Sequence, residues 1–357
     1  MFEYFIITLV CAAIGTGLAK WYGKSEYTWQ EMSATMAMVL IVTGTLLAAG
    51  TYSSLHDTEV INGQVTSKDH ERVHCRHSYS CHCHMVSSGS GKNRTTSEEC
   101  DTCYDHAYDI DWTVNTTVGN HDIETVDRQG LVEPPRWTAT IVGEPAHTTQ
   151  SYVNYIKGAP DSLFNKTVLM QNKYTIPAYP DNITDYYRIN RVVEVGVVVK
   201  DKVQLNQELN MILRTLGPQK QVNIVPVFTA YDSNFARALE AAWLGGKKND
   251  VVIVVGLTPD QKISWTYVFS WSKQSIVNYE IKDGIKDMET LDVAKYVEIV
   301  NKSISTSYVR EPMKTFSYLQ EDMSPPTWCI VLAMLIAFFG SIGAGYYFSK
   351  PQYRNRY

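Results

Sequence analysis

Three apolar stretches, residues 2–19, 32–52 and 328–348, constrain this chain more than any other feature. Each holds roughly 18 to 21 residues, the length a helix needs to cross the hydrocarbon of a bilayer. A segment in lipid must satisfy its own backbone hydrogen bonds, so all three are expected to be membrane-spanning helices. The first carries only Glu3 as a charge and has no Lys or Arg ahead of it, so it lacks the basic start of a cleaved signal peptide and is expected to be retained. Small residues recur at helical spacing: Ala13 and Gly17, Gly15 and Ala19, Gly44 and Ala48, Gly340 and Ala344. They are either ordinary membrane-helix composition or faces for close packing, within the trio or in a homo-oligomer.

Basic residues beside a span stay on the cytoplasmic side, whereas long domains cross largely regardless of charge. Lys20 and Lys24 lie between the first two stretches, partly offset by Glu26 and Glu31, and Lys350, Arg354 and Arg356 follow the third. Glu321, Asp322 and the Pro325-Pro326 pair precede the third, with Trp328, Tyr346 and Tyr347 at the heights of an aromatic belt. The expected topology has the N-terminus outside, the C-terminus in the cytoplasm and residues 51–327 across the membrane. A hydrophobic content of 45% and a net charge of -5 suit an anchored ectodomain. The interiors of the stretches hold no charged residue of the kind that marks a transporter pathway. Basic residues form no stripe, which excludes a nucleic-acid partner and leaves the lipid bilayer and another envelope or membrane protein.

Between His74 and His106 lie five of the seven cysteines and five of the nine histidines. The Cys81-x-Cys83 and Cys100-x-x-Cys103 pairs, separated by a Ser/Gly-rich loop, offer four thiolates, the number that tetrahedral zinc takes. Cys75, His74, His77, His82, His84 and His106 supply substitutes or a second site. The alternative is disulfides bridging one pair to the other, since a bridge within Cys-x-Cys is strained and an oxidising compartment favours pairing. Zinc accounts for the histidines as well and is the favoured structural cofactor; a redox role is a third reading. Haem attachment is disfavoured, because Tyr104 stands where a His is required. Asn-x-Ser/Thr sequons at Asn93, Asn115, Asn165, Asn182 and Asn301 would mark glycans only in a secretory eukaryotic protein.

Composition divides the rest. The chain reads as two membrane helices with a short cytoplasmic loop (1–52), a Cys/His-rich module too poor in aliphatic residues to build a core (53–108), and an irregular β-rich segment (109–190). An α/β domain (191–323) and a C-terminal membrane helix with a basic tail (324–357) complete it. In the β-rich segment, residues 112–114 and 137–142 alternate as strands do, among turn signals such as Glu133-Pro134-Pro135. In the α/β domain, residues 191–199, 222–229 and 251–257 read as buried strands, and 262–271 as an antiparallel neighbour. Helices are expected over 205–216, stopping at Gly217-Pro218, from an Asp232-Ser233 cap to Gly245-Gly246, and over 279–288 and 291–307.

The order strand-helix-strand-helix-strand-strand-helix, with Asn249-Asp250 leading into Val251-Val252-Ile253-Val254-Val255-Gly256 and a span following, resembles the TPM domain over residues 191–307. That family comprises small α/β sandwich domains on the far side of bacterial and thylakoid membranes. The run from His74 to His106, with Cys100-Asp101-Thr102-Cys103-Tyr104-Asp105-His106, resembles uncharacterised membrane proteins of tailed bacteriophages. The expected fold is α+β: three transmembrane helices carrying a Cys/His-stapled irregular module, a β-rich segment and a TPM-like α/β sandwich.

The TPM resemblance implies either assembly work on membrane complexes or phosphatase activity, since both occur in the family. Asp232, Asp250 and Asp260 are the carboxylates a hydrolytic site would use, although each also suits a cap or turn. A non-enzymatic binding or assembly module in the inner membrane of a bacterium, with a periplasmic ectodomain, is the expected function. A membrane-tethered hydrolase is the alternative.

Overall fold

The computed structural model describes residues 2–23, 27–88, 95–159 and 173–349. Lys24, Glu26, most of the Ser/Gly-rich loop (Gly89 to Lys92), Asn93, Asn165, Lys350, Arg354 and Arg356 lie outside these. Among the described residues three helical segments are long and apolar enough to cross a membrane. The first two are α1 (Phe2–Gly23) and α2 (Trp29–Leu55). Thr28 and Glu31 form a capping box at the start of α2, so the acid set against the basic loop residues also serves the helix.

Helix α2 runs without a linker into the 18-residue strand β1 (His56–Val73). After β1 come β2 (Ser78–Ser88), β3 (Thr95–Tyr104), β4 (Asp109–Thr116), β5 (Gly119–Ile123), α3 (Pro135–Ala139), β6 (Pro145–Val153) and α4 (Tyr155–Gly158). The N-terminal half of β1 pairs with β6 and the C-terminal half with β4, both antiparallel, and the register shifts between Val65 and Ser67. The resulting sheet has the order β5-β4-β1-β6 and a small core of Val65, Trp112, Val114, Ile123, Ala146 and Tyr187. The segment expected as a strand over 137–142 instead begins with α3. Pro134 and Pro135 set the first turn, and Trp137 donates from Nε1 to Thr113 O at 3.2 Å.

The short strands β7 (Ile183–Thr184) and β8 (Arg188–Ile189) pair with each other, and β9 (Val193–Val195) opens the α/β unit. It continues through α5 (Lys202–Lys220), β10 (Asn223–Thr229), α6 (Asn234–Ala242), β11 (Asp250–Leu257), β12 (Ile263–Ser270), α7 (Ile276–Lys286) and α8 (Val293–Ser307). The sheet order is β12-β11-β10-β9, with the last three strands parallel and β12 antiparallel to β11. Successive residues of a strand face opposite sides. Accordingly Val251, Ile253 and Val255 pack with Leu205, Leu209 and Leu213 of α5 and with α7 and α8, whereas Val252 and Val254 pack with Phe235 and Leu239 of α6. Burial on both faces is why β11 reads as an unbroken apolar run.

Within the α/β unit two elements depart most from expectation. The strand anticipated over 191–199 shrinks to β9, because Gly196 takes φ +71° and Glu194 Oε1 accepts from Val199 N at 2.7 Å, turning the chain toward α5. Helix α5 passes through Gly217-Pro218 and stops at Gln221, which has a left-handed backbone. Pro218 falls in the last turn, where its missing N–H removes a single helical bond.

After a 3-10 segment, Met313–Asp322, the third span comprises α9 (Thr327–Leu335), a π-turn at Ile336–Gly340 and α10 (Ser341–Phe348). Of the small-residue pairs, Gly15 and Ala19 face this span. A Cβ on Gly15 would lie 2.6 Å from Phe338 O, and one on Gly345 would lie 2.3 Å from Ala19 Cβ. Gly17 has open space around it.

Candidate functional site

Strands β2 and β3 form a ribbon that stands apart from both larger sheets. They pair antiparallel from Ser78↔Tyr104 to Ser88↔Thr95, with a register shift between Cys81 and His84 where His82 takes φ +47°. Both faces are solvated, and Tyr79, Met85 and Tyr104 are 52%, 67% and 43% exposed. A two-stranded ribbon without a core is marginal by itself. Here two disulfides brace it, Cys81 to Cys103 and Cys83 to Cys100, each joining one cysteine pair to the other. Closing a loop of this size stabilises by about 3 kcal/mol, and the second bridge, nested inside the first, adds less. Joined in this way the four sulfurs are not thiolates, so the tetrahedral set anticipated for zinc requires them reduced. His82 lies 3.6 Å from Asp101 on the exposed surface, and His84 is exposed.

The ribbon's base holds a different group. Cys75 is 1% exposed, and its Sγ lies 3.7 Å from His106 Nδ1 and 3.7 Å from the carbonyl of His77. The same Nδ1 lies 3.4 Å from Asp109 Oδ1. Arg76 N donates to the other carboxylate oxygen at 2.9 Å, which orients Asp109, whereas Oδ1 is buried and makes no well-formed hydrogen bond. His77 turns away, with Nε2 2.9 Å from Arg128 O and its ring edge-on to His106 at 6.0 Å, and His74 packs against Tyr104. The structure therefore brings Cys75 and His106 together and leaves His74, His77, His82 and His84 outside the group. It adds Asp109, which sequence reading missed although His106-x-x-Asp109 is a ligand-like spacing.

A second buried polar group joins the two larger sheets. Arg191, fully buried, donates to Asn210 Oδ1 (2.7 Å), Asn223 Oδ1 (2.6 Å), Ile224 O (3.1 Å) and Asn62 Oδ1 (3.0 Å). Burial pulls its guanidinium down to about 9, but four well-placed acceptors favour the charged form. His147 Nδ1 lies 2.9 Å from Asn62 Oδ1, which makes this nitrogen the donor. Burial, and then the Arg191 charge, hold His147 well below the usual imidazole range, so it is neutral. Asn223 Nδ2 donates to Asp250 Oδ1 at 2.9 Å, and Tyr179 donates to the same carboxylate, 2.7 Å from Oδ2. Burial pushes Asp250 up to about 6 against the lowering effect of these bonds.

The three candidate catalytic carboxylates do not meet. Asp250 is fully buried at the N-terminal end of β11. Asp232 follows the C-terminal end of β10, where Tyr174 donates to it at 2.7 Å and it accepts from Asn234 N at 2.9 Å. Asp260 is exposed in the turn after β11. Since β10 and β11 are parallel, Asp232 and Asp260 lie at the opposite end of the sheet from Asp250, roughly 20 Å away along the strands.

No protein-family model matches the chain, and comparison with curated proteins and with solved structures likewise gives no match.

Proposed function

We propose that this chain is a membrane-anchored envelope protein, bacterial or phage-encoded, whose disulfide-stapled ectodomain binds another membrane protein as a non-enzymatic assembly module. The observation that carries the reading is the β2–β3 ribbon. Among its described residues none belongs to a hydrophobic core, Tyr79, Met85 and Tyr104 are exposed, and two cross-bridges brace it. A bridged ribbon that joins neither larger sheet and keeps most of its side chains exposed suits contact with something else, because aromatic and Met side chains are favoured at protein interfaces. Disulfides persist in oxidising compartments, which accords with an ectodomain in the periplasm and a cytoplasmic C-terminus. Helices on both faces of the β9–β12 sheet are compatible with a TPM-like sandwich.

The hydrolase alternative has less to support it, since Asp250 is enclosed and the other two carboxylates lie at the far end of the sheet. Its test is direct. The full chain in detergent is expected to show no phosphate-ester hydrolysis. Hydrolysis by the wild type that disappears in Asp250→Asn, with circular dichroism unchanged, contradicts the binding reading and establishes the enzyme. Zinc held by the four hairpin cysteines as thiolates remains the alternative staple, separable by a disulfide map of the purified protein.

A further inference from the structure

We propose that Cys75, His106 and Asp109 bind one zinc-class divalent cation, with its fourth position open to solvent. Their three donor atoms lie within 4.8 Å of one another. Around zinc with bonds of about 2.3 Å to sulfur and 2.0–2.1 Å to nitrogen and oxygen, tetrahedral edges are about 3.6 Å for S···N and about 3.3 Å for N···O. The Sγ–Nδ1 and Nδ1–Oδ1 separations are 3.7 and 3.4 Å.

Two features favour chelation over the alternatives. Asp109 Oδ1 is buried and makes no well-formed hydrogen bond despite the 3.4 Å approach of His106 Nδ1, an arrangement that a cation between the two would satisfy. Its sister oxygen is held by Arg76 N, the kind of second contact that orients a metal-bound carboxylate. A nucleophilic triad would place the thiol and the carboxylate on opposite imidazole nitrogens. Here both face Nδ1, so the ring cannot relay a proton between them. The His106 side chain is 25% exposed, which gives the ion an entry path and leaves room for water or a small anion in the fourth position.

The site is independent of the hairpin cysteines, which are paired, and the two remaining cysteines, Cys11 and Cys329, lie in the spans. The test uses full-length protein in detergent, disulfides intact, with Cys11 and Cys329 replaced by Ala, titrated with Co(II) alone and then Zn(II). One Co(II) per chain is expected, with a thiolate-to-cobalt charge-transfer band and tetrahedral ligand-field bands that Zn(II) displaces. Cys75→Ser should abolish the charge-transfer band, and Asp109→Asn should raise the dissociation constant at least tenfold. His106→Gln, at a partly exposed position, should do the same and covers the case in which the Cys75 variant fails to fold. No cobalt spectrum in the starting protein, or an unchanged one in His106→Gln, overturns the proposal. So does loss of binding in Cys83→Ser/Cys100→Ser with full binding in His106→Gln, which places the metal in the ribbon.

Discussion

Arg191 Nη2 donates to Asn62 Oδ1 at 3.0 Å across 129 residues of chain, tying the strand that continues α2 to the first residues of the α/β unit. Around it Asn249 donates to Val60 O at 2.8 Å, Glu59 meets Lys248 and Arg310, and Asp57 meets Lys247. The two larger sheets thus share a buried polar seam along β1.

Removing one partner of this seam leaves a buried charge under-satisfied, which costs about 3 kcal/mol. Asn62→Ala is therefore expected to lower the stability of the whole ectodomain by that amount. Because the seam joins both sheets, fluorescence of Trp112 in β4 and of Trp265 in β12 should lose structure at the same shifted denaturant midpoint. A shift confined to one probe would show the sheets to be energetically separate.

The pH dependence of Asp250 has a definite sign. Its folded value, about 6, stands above the ordinary 3.8. Its contribution to stability is therefore full below about pH 4 and lost as pH rises through 6. Asp250→Asn removes that dependence. The variant should gain on the wild type by on the order of 3 kcal/mol between pH 4 and pH 7. His147 and Asp57, which titrate in both proteins, cancel from the difference. A constant difference in unfolding free energy across this range would contradict an enclosed Asp250.

How far the sequence carried these features depends on how local their causes are. Strand β11 was legible because the buried residues from Val251 to Leu257 form an unbroken apolar run. Disulfides between Cys81-x-Cys83 and Cys100-x-x-Cys103 were one of three readings that spacing alone left open, beside zinc and a redox role. Asn62 and Arg191 gave no sign of each other, since neither pattern nor spacing connects positions so far apart. Gly217-Pro218 looked like a helix stop, but a Cβ at Gly217 would lie 2.4 Å from Asn62 O. That glycine serves the contact of α5 with β1 rather than the helix end. Asp109 escaped notice despite its spacing from His106, because the contact with Arg76 N that orients its carboxylate toward that ring has no sequence signature.

The ribbon's bridges should stabilise the ribbon and little else. Replacing all four of its cysteines by Ser is expected to expose β2 and β3 to limited proteolysis while both larger sheets keep their unfolding midpoints. Among the described residues, none from the ribbon belongs to their cores. A fall of several kcal/mol in the midpoint of either sheet would mean that the ribbon is part of the folded core.

In the membrane, Gly15 and Gly17 should behave differently despite their proximity. Leu at Gly15 meets the backbone of the third span, whereas Leu at Gly17 enters open space. Gly15→Leu should abolish disulfide cross-linking between cysteines engineered into α1 and α10, and Gly17→Leu should leave it intact. Equal effects would place the packing face elsewhere on α1.

The most direct test of the binding reading is a photo-crosslinker at Met85, 67% exposed on β2, in intact host envelopes, with Val198, 75% exposed on the α/β unit, as reference. The account predicts one discrete membrane-protein adduct from Met85, absent from Val198 and lost when the four ribbon cysteines are replaced. No adduct from Met85, or the same adducts from both positions, would contradict it.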